Sequence, residues 1–417
     1  MKRIQVYLRL VRDITLCPIL LIFPKNNHKI LFGAWFGRQL VGSPKYLLKY
    51  LLEQGGYECV WVGEEIIRER AREDFPSVKF VRKGSWAALW HYLRSRFVVC
   101  NIDLESDIIR FPHFQRIIQI NTTHGGVNKR CGVTMLQGDG SMIKRRVPKN
   151  IIRKCLFNMI SSFAAYAYGH RCWGSASSIE QRNLILHTYP GRYTEETLLT
   201  KGSPCIDFLV NNKNNLSLIA SLKAKYARLF GISPDKRWYI YVPTWRHSDG
   251  VPFSFTKSNK FSEYNTVLRS QEAILIDKEH PKTLERTQMT AGLYENIYVV
   301  SPKMSLNIDI QELLLVCDRL ISDYSTIYMD YGVLHRPIIE YTFDYEYVRT
   351  KEFGLEYDLR EYAPGPFAYN EDELIHLLML SDEDLLRSRK DKFDAQLECE
   401  EGQSCQAYLS LIQKLGE

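Results

Sequence analysis

Short, almost unbroken apolar runs alternate along this chain with longer amphipathic stretches. A run that is apolar at nearly every position predicts a strand buried on both faces, the kind that fills a parallel sheet covered by helices. In the first half such strands are expected at 29–35, 57–62, 78–81, 97–101 and 117–121, with a further one at 166–173. Between them, apolar positions at helical spacing mark 44–54, 86–93 and 179–186. The second half repeats the scheme, with strands at 238–243, 273–278, 297–300, 319–322 and 337–340 and a helix at 308–316. Alternation of this sort is the signature of βαβ units, so the fold class is α/β with parallel sheets.

The seam falls within 211–234. Asn211, Asn212, Lys213, Asn214 and Asn215 read as a polar loop, and 216–229 as a helix with Leu216, Ile219, Leu222 and Leu229 on its apolar side. Two Rossmann-like, doubly wound domains joined there would face a central cleft at the carboxyl ends of their strands, where such sheets bind ligands. The expected division is a leader at 1–23, an acceptor-side domain at 24–210, a linker and helix at 211–235, a second domain at 236–385 and terminal helices at 386–417.

Composition narrows the class. With 45% apolar and 25% charged residues, the chain of 417 has the make-up of a globular protein. Its ten cysteines are scattered, with no CxxC pair, so neither a zinc site nor a disulfide framework is expected, and the thiols read as reduced. The net charge of +7 is uneven. Lys129, Arg130, Lys144, Arg145, Arg146, Lys149, Arg153 and Lys154 face a single acid, Asp139, across that stretch, with Met142, Ile143, Val147, Ile151 and Ile152 interleaved. The mixture favours an anionic membrane surface over nucleic acid, for which no binding module is present. The leader carries Lys2, Arg3, Arg9 and Arg12 ahead of an apolar run, 14–23, too short to cross a bilayer and followed by no small-residue cleavage site. It is either an in-plane anchor or a helix packed on the first domain.

One segment concentrates the chemistry. The strand 319–322 runs through Asp323 and Tyr324 into Ser325 and Thr326, and a helical pattern follows. Hydroxyls at a helix start after a strand make an anion site, or else an ordinary N-cap. Around it, in order, stand Val242-Pro243-Thr244-Trp245-Arg246, Lys278-Glu279-His280-Pro281 and Arg336-Pro337-Ile338-Ile339-Glu340. Earlier come Phe32-Gly33-Ala34-Trp35-Phe36-Gly37, Ser43-Pro44-Lys45, His124-Gly125-Gly126-Val127-Asn128-Lys129 and the turn Gly202-Ser203-Pro204-Cys205-Ile206-Asp207. This ordered set resembles the CDP-glycerol glycerophosphotransferase family of teichoic-acid and capsule polyol-phosphate transferases.

The resemblance implies GT-B architecture and transfer of polyol phosphate, glycerol phosphate above all, from a CDP-polyol onto a lipid-linked or growing cell-surface glycan, with CMP leaving. It implies that His280, Arg246, Ser325 and Thr326 hold the diphosphate and that His124 is the catalytic base, with His280 also in the catalytic set. From spacing alone, His124 is as well read as a structural loop histidine. The family's Trp-His-Gly motif is followed by Pro and Lys, whereas this chain has Thr123 before the histidine and lacks the Pro, keeping Lys129. Asp323 and Asp330 are supporting acids, read first as structural acceptors and second as ligands of a metal bound with the diphosphate; no cofactor is expected, with a divalent metal left open. Lys144, Arg145, Arg146 and Lys149 are the membrane or acceptor contacts, on a peripheral protein at the cytoplasmic face of the membrane. Two alternatives remain open: a GT-B sugar-nucleotide transferase or epimerase, and a catalytically silent glycan- or membrane-binding scaffold.

Overall fold

A computed structural model describes residues 22–109, 117–123, 125–134, 172–244, 253–278, 292–305, 308–352, 354–362 and 364–417. His124, Arg246 and His280 lie outside the described residues, as do Lys144, Arg145, Arg146, Lys149 and the leader up to residue 21.

Two seven-stranded sheets account for the architecture. The first is wholly parallel and built from β1 (Asn26–Phe32), β2 (Glu58–Gly63), β3 (Lys79–Arg82), β4 (Ser95–Cys100), β5 (Ile118–Asn121), β6 (Cys172–Ser175) and β7 (Leu198–Leu199), in the order 3-2-1-4-5-6-7. The second contains β8 (Arg237–Val242), β9 (Ala273–Asp277), β10 (Gly292–Tyr294), β11 (Ile297–Val299), β12 (Arg319–Ser322), β13 (Ile338–Tyr341) and β14 (Phe367–Ala368), in the order 10-11-9-8-12-13-14. Only the edge strand β10 runs antiparallel. Both sheets bury both faces: Ile30 and Phe32 of β1 point into one apolar cluster and Leu31 into another. That double burial is why the strands are apolar at successive positions.

Helices α1 (Ser43–Gln54), α2 (Trp86–Arg94), α3 (Ile179–Thr188) and α4 (Pro204–Asn212) belong to the first half. In the second half come α5 (Leu216–Phe230), α6 (Phe261–Ser270), α7 (Ile310–Val316), α8 (Ile327–Gly332), α9 (Tyr345–Thr350), α10 (Glu371–Met379) and α11 (Ser404–Gly416). The last helix returns to the first sheet, where Cys405, Tyr408, Leu411 and Ile412 join the cluster under β1 and β2.

Several expectations need correction. Of the strand expected at 166–173, residues 166–171 lie outside the described residues, and Cys172 and Trp173 belong to β6, which continues to Ser175. The turn at Gly202–Asp207 is the start of α4, with Pro204 at its first position, so Asn211 and Asn212 are helical and the polar loop shrinks to 213–215. In α5 the buried face is Leu222, Tyr226, Ala227 and Phe230, whereas Leu216 and Leu229 are exposed. Tyr226 displaced them because its ring packs against Phe230 and its hydroxyl reaches Glu312 and the Asp309 carbonyl. The eight described cysteines are all free thiols.

Candidate active site

Three strand ends that carry motifs stand side by side. Strands β9, β8 and β12 are consecutive in the second sheet, with Tyr241 opposite Asp277 and Val242 opposite Ser322. Adjacent strands are about 4.8 Å apart, so Lys278, Thr244 and Asp323, one or two residues past each strand, share one edge of the sheet. The chain then leads from Thr244 toward Arg246 and from Lys278 toward His280. Asp323 is fully buried and fastens this edge together: its Oδ1 accepts from the Thr244 N–H at 2.8 Å and from the Tyr324 N–H at 2.6 Å.

Ser325 and Thr326 follow at the mouth of α8, both half-buried. Thr326 occupies the N-cap position, yet its side chain accepts no capping hydrogen bond, and Ser325 Oγ stands 3.5 Å from the Ile327 nitrogen, the outer limit of a contact. The helix therefore leaves both hydroxyls largely uncommitted. Its own length is short, six residues ending at Gly332, which packs directly on the Phe393 ring.

The first domain sends one loop across the cleft to meet them. Thr123 takes a left-handed φ of 55° and is held by Asn121, whose Oδ1 accepts from the Thr123 N–H at 2.8 Å. Past residue 124, Gly125 lies so close to Thr326 that a Cβ there would fall 2.2 Å from Oγ1, and Gly126 lies against Met329 in the same way. Asn128, which is buried, donates through Nδ2 to the Tyr324 carbonyl at 3.1 Å and to the Tyr328 hydroxyl at 3.2 Å. Its carbonyl accepts from the Glu356 N–H at 2.9 Å, and Lys129 pairs with Leu355 as an isolated antiparallel bridge. The Lys129 ammonium reaches Thr244 Oγ1 at 3.4 Å, which puts a cation between the loop and the strand ends. Gly125, next to His124 in sequence, is thus brought against Thr326, although 201 positions (125 to 326) separate them in the chain.

The electrostatics are uneven. Burial pushes the Lys278 ammonium down to about 8, so the sheet edge carries a cation that is poorly solvated and gains most from an anionic partner. Behind it, Glu340 on β13 is buried; desolvation and then the neighbouring Asp323 charge hold its carboxyl well above the usual range. Asp330, one turn into α8, accepts from Gln311 Nε2 at 2.9 Å, and burial pushes it up to about 7. It lines a cavity of about 20 Å³, room for roughly one water, together with Ser43, Thr123, Gly125, Ser175, Ser177, Ser203 and Glu400. Among the described residues no group of three or more His, Cys, Asp or Glu side chains is set to hold a metal ion.

The same edge carries residues that pattern reading passed over. Lys278 was visible only as the flank of the His-Pro motif. Asn128 and Gln181 were legible as polar residues inside apolar company, but nothing local says that they bridge to other loops. Gln181 brackets Val127, accepting from its N–H at 2.8 Å and donating to its carbonyl at 3.3 Å.

The family comparison matches CDP-glycerol:poly(glycerophosphate) glycerophosphotransferase over residues 15–414, nearly the whole chain. The chain belongs to this family of phosphotransferases. It is 25% identical over 369 residues to a teichoic acid poly(glycerol phosphate) polymerase of Bacillus spizizenii, covering 86% of this chain and 84% of the relative. To a teichoic acid glycerol-phosphate transferase of Staphylococcus aureus it is 24% identical over 398 residues, covering 93% and 94%. A Bacillus subtilis polymerase is 24% identical, but the match spans 44% of its length. Among solved structures, the wall teichoic acid polymerase TagF superposes with a TM-score of 0.72 at 20% identity, over 99% of this chain and 98% of that one. That likeness, with a TM-score of 0.50 to the S. aureus MnaA–UDP structure at 12% identity, establishes a GT-B-like fold.

Proposed function

We propose that this glycerophosphotransferase-family chain transfers glycerol phosphate from CDP-glycerol to a hydroxyl of a lipid-linked or growing teichoic-acid-type chain, releasing CMP. One observation carries the reading: Gly125, next to His124, packs on Thr326, so the base loop and the strand-end hydroxyls close on one space. In that space the acceptor hydroxyl attacks the phosphorus bearing glycerol. The new O–P bond forms as the P–O bond to CMP breaks, the hydroxyl proton passes to His124, and CMP leaves as the anion. Ser325 and Thr326, with uncommitted hydroxyls, donate to the diphosphate; Arg246 and His280, which follow the neighbouring strands in sequence, are assigned as further donors, and Lys129 and Lys278 supply charge. Asp323 acts on these groups indirectly, by fixing the loop backbone. Metal chemistry is not required by this assignment.

The test is CMP release by the purified protein with membranes and either CDP-glycerol or CDP-ribitol, with UDP-sugars as the competing donors. Ser325→Ala and His280→Ala should each lower CMP release about a hundredfold while the fold holds, the usual cost of losing one preorganised donor. Release within a few-fold of the parent by both variants would remove the phosphate assignment, and turnover of a UDP-sugar alone would replace the donor.

A further inference from the structure

The outer face of α2 has a composition that a solvated helix does not need. Its inner face, Ala88, His91, Tyr92 and Leu93, is buried, and Ala88, Tyr92 and Leu93 pack on Leu31, Val60, Val62 and Val98 of the first sheet. One turn apart on the opposite face, Trp86 is 85% exposed and Trp90 49% exposed. Helices over a parallel sheet normally turn polar residues outward. From Arg82 to Arg96 the sequence carries Arg82, Lys83, Arg94 and Arg96 and no acid at all. The Arg94 guanidinium lies over the Trp90 ring at 5.3 Å. Two carboxylates act near the helix and both are paired: Glu65, by Arg82, with Arg68, and Glu58, by His91, with Lys29.

The strip continues into the chain's own leader. Phe23 meets Trp90 edge-on, with ring centroids 6.1 Å apart, and Ile22 beside it is 76% exposed. Lys25 caps the helix end by donating to the Leu93 carbonyl. The residues that precede Ile22 are the apolar run behind Lys2, Arg3, Arg9 and Arg12. At the other end of the helix, Lys83 donates to the Phe36 carbonyl, which brings a 41% exposed Phe36 to the same rim.

We infer that the Trp86–Trp90 face of α2, continued by Ile22 and Phe23, is the surface on which the protein rests on an anionic lipid leaflet. Tryptophan rings are amphipathic and settle at the headgroup level of a bilayer. Cations at both ends of the helix match anionic headgroups, and a flat helical face suits a plane better than a peptide. The face runs the depth of the sheet: Trp86 follows the carboxyl end of β3, the end at which Thr123 follows β5, and Ile22 and Phe23 precede the amino end of β1. The inference stands on the exposed rings and does not depend on which CDP-polyol is the donor.

The full-length protein should be mixed with vesicles of phosphatidylglycerol or of phosphatidylcholine, each with and without brominated acyl chains. Tryptophan emission should be quenched by brominated phosphatidylglycerol vesicles and little by phosphatidylcholine ones. Trp86→Ala with Trp90→Ala should remove most of that quenching and lower co-sedimentation roughly tenfold, with CMP release to a soluble acceptor analogue unchanged. Trp86→Ala alone, at a side chain almost fully in solvent, serves if the double variant melts early, and should lower binding in the same direction. Undiminished vesicle binding by these variants overturns the inference. So does shielding of both rings from iodide in vesicle-free protein, which would mean that the leader covers the face.

Discussion

Gly125→Ala probes the junction on which the functional reading rests. Gly125 has φ of 130°, a region that side-chain-bearing residues rarely enter, and holding alanine there costs on the order of 1–3 kcal/mol. The added methyl would also sit 2.2 Å from Thr326 Oγ1 and 3.0 Å from its Cβ, well inside contact distance, so the loop must retreat from α8. A displacement of about 1 Å between reacting groups lowers rates by roughly a hundredfold, or about 2.7 kcal/mol. With the donor assigned to the second domain under the proposed function, its affinity should change by no more than about threefold. Single-turnover CMP release and calorimetry with CDP-glycerol separate the two quantities. A double-mutant cycle sharpens the test, because Thr326→Ala removes the overlapping oxygen and should recover part of the Gly125→Ala loss, giving a coupling of at least ~1 kcal/mol. Strictly additive losses, or a Gly125→Ala rate within threefold of the parent, would show that the two loops do not meet during turnover.

Three further perturbations read the charged groups. Lys278, already down at about 8 in the free protein, should be pulled back up by a bound diphosphate; affinity for CDP-glycerol should then fall by up to about tenfold per pH unit above pH 8, a slope that Lys278→Met must abolish in calorimetry between pH 7 and 9.5. Asp330 rises from 3.8 to about 7 on folding, so its protonated form stabilises the protein below the usual carboxylate range and that stability is lost as pH rises through 7; urea melts should show Asp330→Asn gaining on the parent by up to roughly 4 kcal/mol between pH 4 and 8, and an equal difference at both pH values would refute it. Lys45→Met leaves Asp309, fully buried and otherwise paired with Lys45 at 2.9 Å and with the Tyr46 hydroxyl at 3.0 Å, without its cation; the expected loss is about 3–5 kcal/mol, and a loss under ~1 kcal/mol in urea melts would show that the pair does not hold the domains.

The parallel strands were legible because burial on both faces forces apolar residues at every position, and Ile30-Leu31-Phe32 or Ile274-Leu275-Ile276 leave little else to read. What escaped was set by partners distant in sequence. Strand β7 has two residues and β14 two, too few for any period, and each exists by pairing with an already formed neighbour. In α5, Leu222 and Ile219 lie on the packed side as expected, but Leu216 and Leu229 are exposed, because Tyr226, not a leucine, reaches the Asp309 carbonyl and Glu312 of α7. The hydroxyl pair Ser325–Thr326 could be found from the strand–turn–helix pattern, yet capping and ligand binding look alike in sequence. Only the geometry shows that Thr326 caps nothing and faces Gly125 instead.

The loop after residue 124 also explains how this chain manages without the proline that follows the family's His-Gly motif. A proline narrows the conformations open to a loop before folding, so its absence leaves more freedom to remove. Here tertiary amides remove it. Gln181 from α3 pins Val127 at both its N–H and its carbonyl, and Asn128 reaches across to the Tyr324 carbonyl and the Tyr328 hydroxyl. Glu356 closes on the Asn128 carbonyl. Two of these three anchors belong to the second domain, on the segment that carries Ser325 and on the strap after α9. A proline would fix the loop whether or not the domains are together, as Gln181 does, whereas the contacts to Tyr324, Tyr328 and Glu356 hold only when they are. Under the proposed function, the loop that leads on from His124 is thus steadied in part by the same segment that carries Ser325 and Thr326.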